Sequence, residues 1–449
     1  MIIRKNIICV WFFLVILIFV PACSSLMMPP IIKATDSRQL GQINRLVSAG
    51  VDVDTATKKG MTPLFAASAK GYDRIAASLI EKGADVNAAV TNPIKYNDLK
   101  LAQWTTPLMA ALWGQHSKIG HILIENGADI SRTDDNGVGA LFIAAMQDDR
   151  QMINVLIEKG ADVNVGTTTD FELDGGMVFA GTTPLMAALA CRQNENAYIL
   201  IENGASVNAR DDNGRSVLMI AAENSGVDMV KFLLAKGADP ALTITKDFIS
   251  NGLPTFEGAN ALMAAAGAGE FKSVYELLRA GSNVNATTRN GVTALMAAAA
   301  SGHLAVTKLL VGIGAEVNAR TTEPYNIGIK PIEAVHKGTT PLLAASSHGH
   351  VRVVEFLIAN GADVNAEDDF GMDALYLASA NGYLNVVKIL IANNADVYNT
   401  LSGSTALVAA AHGGNPYIVD LIKAARKKRE RQKSQEKKPA DEKLTRLWK

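Results

Sequence analysis

The sequence predicts an all-α solenoid of about ten helix-turn-helix repeats, joined by β-hairpin-like fingers of which every second one is lengthened. Three observations predict it. A segment of the form Gly-x-Thr-Pro-Leu-x-x-Ala-Ala recurs along the chain, followed some twenty residues later by Gly-Ala-Asp-Val-Asn. The anchoring leucines are Leu64, Leu108, Leu141, Leu185, Leu218, Leu262, Leu295, Leu342, Leu375 and Leu407, spaced by 44, 33, 44, 33, 44, 33, 47, 33 and 32 residues. Hydrophobic residues make up 48 % of the 449, and 43 Lys+Arg nearly balance 44 Asp+Glu, which excludes a mostly disordered chain.

Each element follows from local chemistry. The residue two before each leucine is Thr62, Thr106, Gly139, Thr183, Ser216, Asn260, Thr293, Thr340, Asp373 or Thr405. Nine of these ten have a side-chain oxygen able to cap an orphan N–H at a helix start. Pro63, Pro107, Pro184 and Pro341 follow four of them, at the first helical position, where a missing N–H does no harm. Gly71, Gly302, Gly349, Gly382 and Gly414 stand seven residues after the leucine, where a left-handed residue ends the first helix. A second helix follows with apolar spacing, as in Val353, Val354, Phe356, Leu357 and Ile358, and stops at Gly361. No pair of helices buries its apolar face alone, so stacking makes the core continuous.

A base period of 33 with these motifs resembles the ankyrin repeat, over roughly residues 34–425. The resemblance implies a non-catalytic protein–protein interaction scaffold. The histidine usual after the leucine in that family is replaced by Phe65, Met109, Phe142, Met186, Met219, Met263, Met296, Leu343, Tyr376 and Val408. One apolar residue per repeat at a fixed phase reads as core filling rather than a metal-binding stripe.

A second period overlies the first. Leu64, Leu141, Leu218 and Leu295 are 77 residues apart, and Leu375 follows after 80. Extra residues therefore sit at about 88–104, 165–181, 242–257 and 319–337, lengthening alternate fingers into a comb of four teeth. With helix layers ~8–10 Å apart, teeth two repeats apart would stand ~20 Å from one another. The teeth carry Tyr96 and Trp104, Phe171 and Phe179, Phe248 and Phe256, and Tyr325. Projecting aromatics are candidate contacts, the competing reading being that they pack the fingers down. Trp104 inclines to packing, because it replaces the glycine that usually precedes the motif. By the same resemblance, the groove positions lie five after each leucine, and there Trp113, Met146, Glu223 and His412 stand out among mostly small residues.

The two ends read differently from the body. Arg4 and Lys5 precede fourteen apolar residues at 7–20, then Pro21 and Ala22, as in a secretion signal over 1–22. The run is short of the ~20 residues a membrane span needs. Ala22-Cys23-Ser24-Ser25 resembles the lipobox of bacterial lipoproteins, in which the cysteine is lipidated, although Pro21 departs from its usual small or aliphatic residue. That resemblance implies a lipidated Cys23, a short linker at 23–33, and a protein facing the periplasm, on the outer rather than the inner membrane. An ordinary signal peptide, or an uncleaved anchor holding a cytoplasmic-side adaptor, is the alternative. Residues 426–449 read as a basic, disordered tail, or as an arm touching anionic lipid or envelope polymer. Residues 1–23 carry +2 and 423–449 carry +8, which leaves −11 for the rest of a chain of net charge −1. So acidic a body argues against a nucleic-acid partner.

No catalytic constellation emerges. His116, His303 and His350 fill the family's Gly-His slot at the second helix, a structural role; His336, His348 and His350 lack carboxylate or cysteine partners at metal-ligand spacing. Cys191 ends a first helix without a histidine partner, and the Gly-Ala-Asp carboxylates recur in phase with the turns, as scaffold does. No enzyme activity, cofactor or metal is expected. The partner expected is another protein, with a cell-wall or glycan polymer met by the aromatic fingers as the alternative.

Overall fold

The computed structural model describes residues 28–173, 176–250, 253–323, 336–401 and 404–447. Cys23 and Tyr325 lie outside the described residues, as does most of the fourth long finger. The chain divides into two compact units. One runs to Ser225 with short returns at 236–238 and 250–252, and the other holds the rest.

The first unit contains α1 (Pro30–Asp36), α2 (Leu40–Ser48), α3 (Pro63–Lys70), α4 (Asp73–Glu81), α5 (Pro107–Trp113), α6 (Ser117–Glu125), α7 (Ala140–Met146), α8 (Arg150–Glu158), α9 (Pro184–Ala190), α10 (Asn194–Glu202) and α11 (Val217–Asn224). Helices α1, α3, α5, α7, α9 and α11 pack in succession as an inner layer, and α4, α6, α8 and α10 as an outer one. Two antiparallel hairpins interrupt them, β1 (Ile94–Tyr96) with β2 (Leu99–Leu101) and β3 (Phe171–Leu173) with β4 (Gly176–Val178).

The second unit repeats the plan with α12 (Val227–Ala235), α13 (Ala261–Ala268), α14 (Phe271–Arg279), α15 (Ala294–Ala300), α16 (Leu304–Gly312), α17 (Pro341–Ser347), α18 (Val351–Ala359), α19 (Ala374–Ala380), α20 (Leu384–Ala392), α21 (Ala406–His412) and α22 (Pro416–Leu447). Its inner layer is α13, α15, α17, α19 and α21; its outer layer is α12, α14, α16, α18, α20 and α22. Its hairpins are β5 (Phe248–Ser250) with β6 (Leu253–Thr255), and β7 (Thr400–Leu401) with β8 (Ser404–Thr405).

The helix starts form as their sequence dictates. In eight of the ten motif repeats the capping side chain accepts the N–H three residues on, the distances running from 2.7 Å, where Asp373 accepts from Tyr376, to 3.4 Å, where Thr183 accepts from Met186. Gly139 has no side chain to offer, and Thr405 makes no such bond. The anchoring leucines from Leu64 to Leu375 are all 4 % exposed or less. The position after each leucine is buried from Phe65 to Leu343, which confirms core filling there; Tyr376 is half-buried and Val408 exposed.

Within each unit, two kinds of hydrogen-bonded ladder link successive repeats. In the Gly-Ala-Asp turns the carboxylate accepts the N–H two residues on, as Asp85 does from Asn87 at 2.8 Å. The asparagine then reaches forward: Asn318 Nδ2 donates to the Gly361 carbonyl at 2.9 Å and its Oδ1 accepts the Asp363 N–H at 2.9 Å. Asn87 and Asn285 make the same pair of bonds. The phased residues are thus framework. At the fingers the link is backbone to backbone, with Asp135 N–H donating to Gln103, Thr168 to Asn136, Asp212 to Ala180, Arg289 to Glu257, Thr322 to Asn290 and Asp369 to Lys337, all at 2.8–3.0 Å.

Each short finger turns on one acceptor side chain. Asp134 Oδ1 accepts the N–H groups of Asn136 and Val138 at 2.9 and 3.0 Å, and Asp211 and Asp368 do likewise in their repeats. Thr288 accepts one such bond with its hydroxyl. Burial pushes the Asp134 carboxyl up to about 6, against the pull of its two N–H donors. A carboxyl raised in the folded state contributes its stabilisation below its unfolded value and loses it as pH rises through about 6. Asn keeps the acceptor oxygen without the charge. Asp134→Asn is therefore expected to raise stability by ~1–2 kcal/mol above pH ~7 and by almost nothing below pH ~4, read as urea midpoint against pH. An equal effect at both ends would show that ionisation of Asp134 is immaterial.

Two expected boundaries need correction. The stack begins before residue 34: α1 starts at Pro30, with Ile31 and Ile32 fully buried, so the expected linker 23–33 runs into an eleventh helix pair. That pair lacks the leucine motif. The tail at 426–449, expected to be disordered, continues α22 as helix to Leu447. Ile418 and Ile422 seat the start of that helix, which supplies the nucleus a charged sequence alone lacks.

Candidate interaction surface: fingers and inner-helix ends

All four insertions leave the framework through one clamp. A pair of backbone bonds closes each base: Val90 with Trp104 and Thr105, Thr167 with Gly181 and Thr182, Ile244 with Gly258 and Ala259, and Thr321 with Gly338 and Thr339. Beyond it the first three hairpins are congruent, starting at 94, 171 and 248. The 77-residue period therefore reproduces geometry as well as sequence.

The clamp also settles which aromatics project. Phe179 and Phe256 are only 6 and 8 % exposed, and this corrects their place among the contact candidates. They sit in the finger bases, where the Phe179 carbonyl accepts the Thr167 and Thr182 hydroxyls, both at 2.7 Å. Asp170 and Asp247 hold the following N–H groups, of Ala180 and Glu257, at 2.8 Å. Phe171 and Phe248 are half-buried on the outgoing strands.

Tyr96 folds back rather than projecting. Its hydroxyl donates to Asp36, Lys70 lies over its ring at 5.1 Å, and Lys70 pairs with Asp36 at 2.9 Å. Burial, and then the Asp36 carboxylate, push the phenol up from its ordinary value. Asn97 beside it donates to the Ala69 carbonyl at 3.1 Å, so the first hairpin covers the inner helices at Ala69, which is fully buried. This finger is packed down, and Tyr96 is corrected accordingly.

Of the groove candidates, Trp113 and Met146 are half-buried at the ends of the adjacent helices α5 and α7. Gln147 links those ends by donating to the Leu112 carbonyl at 2.8 Å. Glu223 is engaged within the chain, accepting from Arg215 at 2.6 Å. His412 is exposed at the end of α21.

Among the described residues, exposed apolar side chains on fingers that fell outside the expected contacts include Trp104 at 50 %, Met177 at 43 %, Ile249 at 50 % and Phe370 at 57 %. Phe370 stands on a short finger, edge-on to His336 at 4.7 Å, and His336 pairs with Asp368 at 2.8 Å. Trp104 is the most informative. At the equivalent turn Gly60, Gly137, Gly181, Gly214, Gly258, Gly291, Gly338 and Gly371 all have positive φ, and Trp104 adopts φ 66° in their place. A bulky residue there is strained, yet its indole is not packed away, against the expectation that it serves the finger.

The histidines of the Gly-His slot are structural. His303 and His350 donate through Nε2 to the carbonyls of Gly267 and Ala300, at 3.0 and 2.8 Å. Burial lowers His116 and His350 below the ordinary imidazole value. Cys191 is half-buried at the end of α9. Among the described residues no three of His, Cys, Asp and Glu converge as a metal site, and no helix is long and apolar enough to cross a membrane.

Comparison with known proteins agrees with this architecture. The family described as ankyrin repeats (3 copies) matches residues 90–167, 167–244, 241–321 and 325–401, and the single ankyrin repeat matches 59–90. Similar curated proteins include the ankyrin repeat and KH domain-containing protein mask-1 of Caenorhabditis elegans, 29 % identical over 45 % of this chain and 7 % of its own length. The nuclear factor NF-kappa-B p105 subunit of Gallus gallus is 31 % identical over 34 % of this chain and 14 % of its own. The B-cell lymphoma 3 protein homolog of Mus musculus is 28 % identical over 33 % of this chain and 30 % of its own. The chain thus spans less than a third of the length of each of these relatives. The matched segments, the capped helix pairs and the laced fingers together make this chain a member of the ankyrin-repeat family.

Proposed function

We propose that the protein is a non-catalytic scaffold for protein–protein interaction, tethered to a bacterial cell envelope through a lipidated Cys23 and presenting its fingers to a protein partner. Trp104 carries the reading. The Trp104 backbone closes the clamp as glycine does at the equivalent turns, so the clamp gives no reason for a strained, half-exposed indole there. A large rigid aromatic is instead the kind of side chain that anchors an interface. Because the backbone ladders fix the fingers beforehand, binding would lose little conformational entropy. Tethering is supported by the apolar run at 7–20 and the Ala22-Cys23 junction.

Trp104→Gly separates the two roles. It relieves the left-handed strain, so stability is expected to stay level or rise by ~1 kcal/mol. Capture of the partner in cells, by a photo-crosslinking residue placed at Phe171 on the next long finger, is expected to fall away in the same variant. Retained crosslinking would remove Trp104 from the interface. A loss of more than ~1 kcal/mol of stability would make it a framework residue.

A further inference from the structure

We propose that α22 is a docking arm that lays a row of unneutralised cations on an anionic phospholipid bilayer. The helix is anchored at its start and then departs from the pattern of the other outer helices. The Tyr398 hydroxyl donates to the Arg426 carbonyl at 3.0 Å, Arg426 Nε donates to the Val397 carbonyl at 2.8 Å, and Arg429 donates to Ala395 at 2.7 Å. Those bonds use two of the seven Lys and Arg residues between 423 and 434, a stretch with Glu430 as its one acid. Lys423, Lys427, Lys428 and Arg431 are exposed. None of the four takes part in an ion pair among the described residues.

Lys423, Lys427 and Arg431 follow one another at four-residue steps, so they form a stripe along one side of the helix. Like charges at that spacing repel, and an anionic surface relieves the repulsion. A bilayer fits better than a nucleic acid. A polyanion reaching beyond the arm meets a body of net charge −11, whereas a lipid surface is engaged by the arm alone. Trp448 follows in sequence, a residue type enriched at the membrane interface. The choice of a bilayer rests on the envelope reading above.

The full chain is compared with its quadruple variant Lys423→Gln, Lys427→Gln, Lys428→Gln, Arg431→Gln. The measurement is co-sedimentation with vesicles of mixed phosphatidylglycerol and phosphatidylcholine, and of phosphatidylcholine alone. Each cation near an anionic surface strengthens binding about fivefold, so at low salt the wild type is expected to prefer the mixed vesicles by several hundredfold. The preference shrinks as salt rises and is largely lost in the variant, whose helix content is unchanged because glutamine is a good helix former. Equal binding to both vesicles, or an unaffected variant, overturns the proposal. So does tighter binding to a single-stranded RNA oligomer than to the mixed vesicles. Any contribution from the leader, with its Arg4 and Lys5, or from a lipid on Cys23 is common to wild type and variant and cancels in their comparison. Failure of the tether would therefore leave this result standing, and failure of the arm would leave the tether untouched.

Discussion

Gly302→Ala is expected to destabilise the protein by ~3 kcal/mol, whereas Gly382→Ala at the equivalent turn should cost only ~1 kcal/mol. Both glycines have left-handed backbones, with φ of 78° and 77°, so the conformational strain of an added Cβ is shared. The difference lies in what stands opposite. A Cβ on Gly302 would lie 2.4 Å from His350 Nδ1, while nothing lies within 4 Å at Gly382. The ring cannot easily retreat, because its Nε2–H is bonded to the Ala300 carbonyl at 2.8 Å. The same match of ring and glycine recurs at His116 with Gly71, His303 with Gly269 and Tyr383 with Gly349, each within 2.6 Å of the added Cβ. Where Asp149 takes the place of the ring, Gln115 adopts φ 59° without being glycine. Removing the ring should therefore restore tolerance. In the double variant Gly302→Ala, His350→Ala the two losses are expected to fall short of their sum by ~1–2 kcal/mol, measured as urea midpoints of the full chain. Strict additivity would show that the glycine serves φ alone.

Cys23→Ala is expected to abolish incorporation of labelled fatty acid and to move the protein from the membrane to the soluble fraction after a high-salt wash. Two or three acyl chains stabilise attachment by ~0.8 kcal/mol for each buried methylene, which anchors a tethered protein stably on the membrane. Without them the fourteen-residue apolar run at 7–20 falls short of the ~20 residues a stable span requires. The salt wash removes whatever the basic arm holds, because its attraction is screened. Continued labelling would refute lipidation at this residue. Loss of label with full retention through the wash would favour the uncleaved anchor.

What the sequence discloses about this chain is what is decided locally. The caps from Thr62 to Asp373, the prolines after them and the left-handed Gly71, Gly302, Gly349, Gly382 and Gly414 are each fixed by a few neighbouring residues, and the structure places them as their chemistry requires. The pair α1–α2 escapes because Pro29-Pro30 opens it in place of Thr-Pro-Leu, although Ile31 and Ile32 bury as a core does. Helix α22 escapes for a different reason. Its charged length has no apolar period, and what seats it are tertiary bonds from Arg426 and Arg429 to the preceding turn. The fingers are the least legible part. Phe171 and Phe179 are both aromatic on one hairpin, and only the clamp at Thr167 and Thr182 shows that the second is interior. Trp104 could be recognised as exceptional from its replacement of a glycine, but whether its indole turned in or out depended on neighbours distant in sequence.

The account depends on fingers that are held in place before any partner arrives. Hydrogen–deuterium exchange of the unbound full chain tests this at single amides. The N–H groups of Asp135, Thr168, Asp212, Arg289, Thr322 and Asp369 each donate to a carbonyl of the preceding finger. They are predicted to exchange as slowly as the helix amides of their own repeats. Exchange at the rate of an unstructured loop, in step with exposed finger-tip amides, would contradict the preformed surface on which the proposed recognition relies.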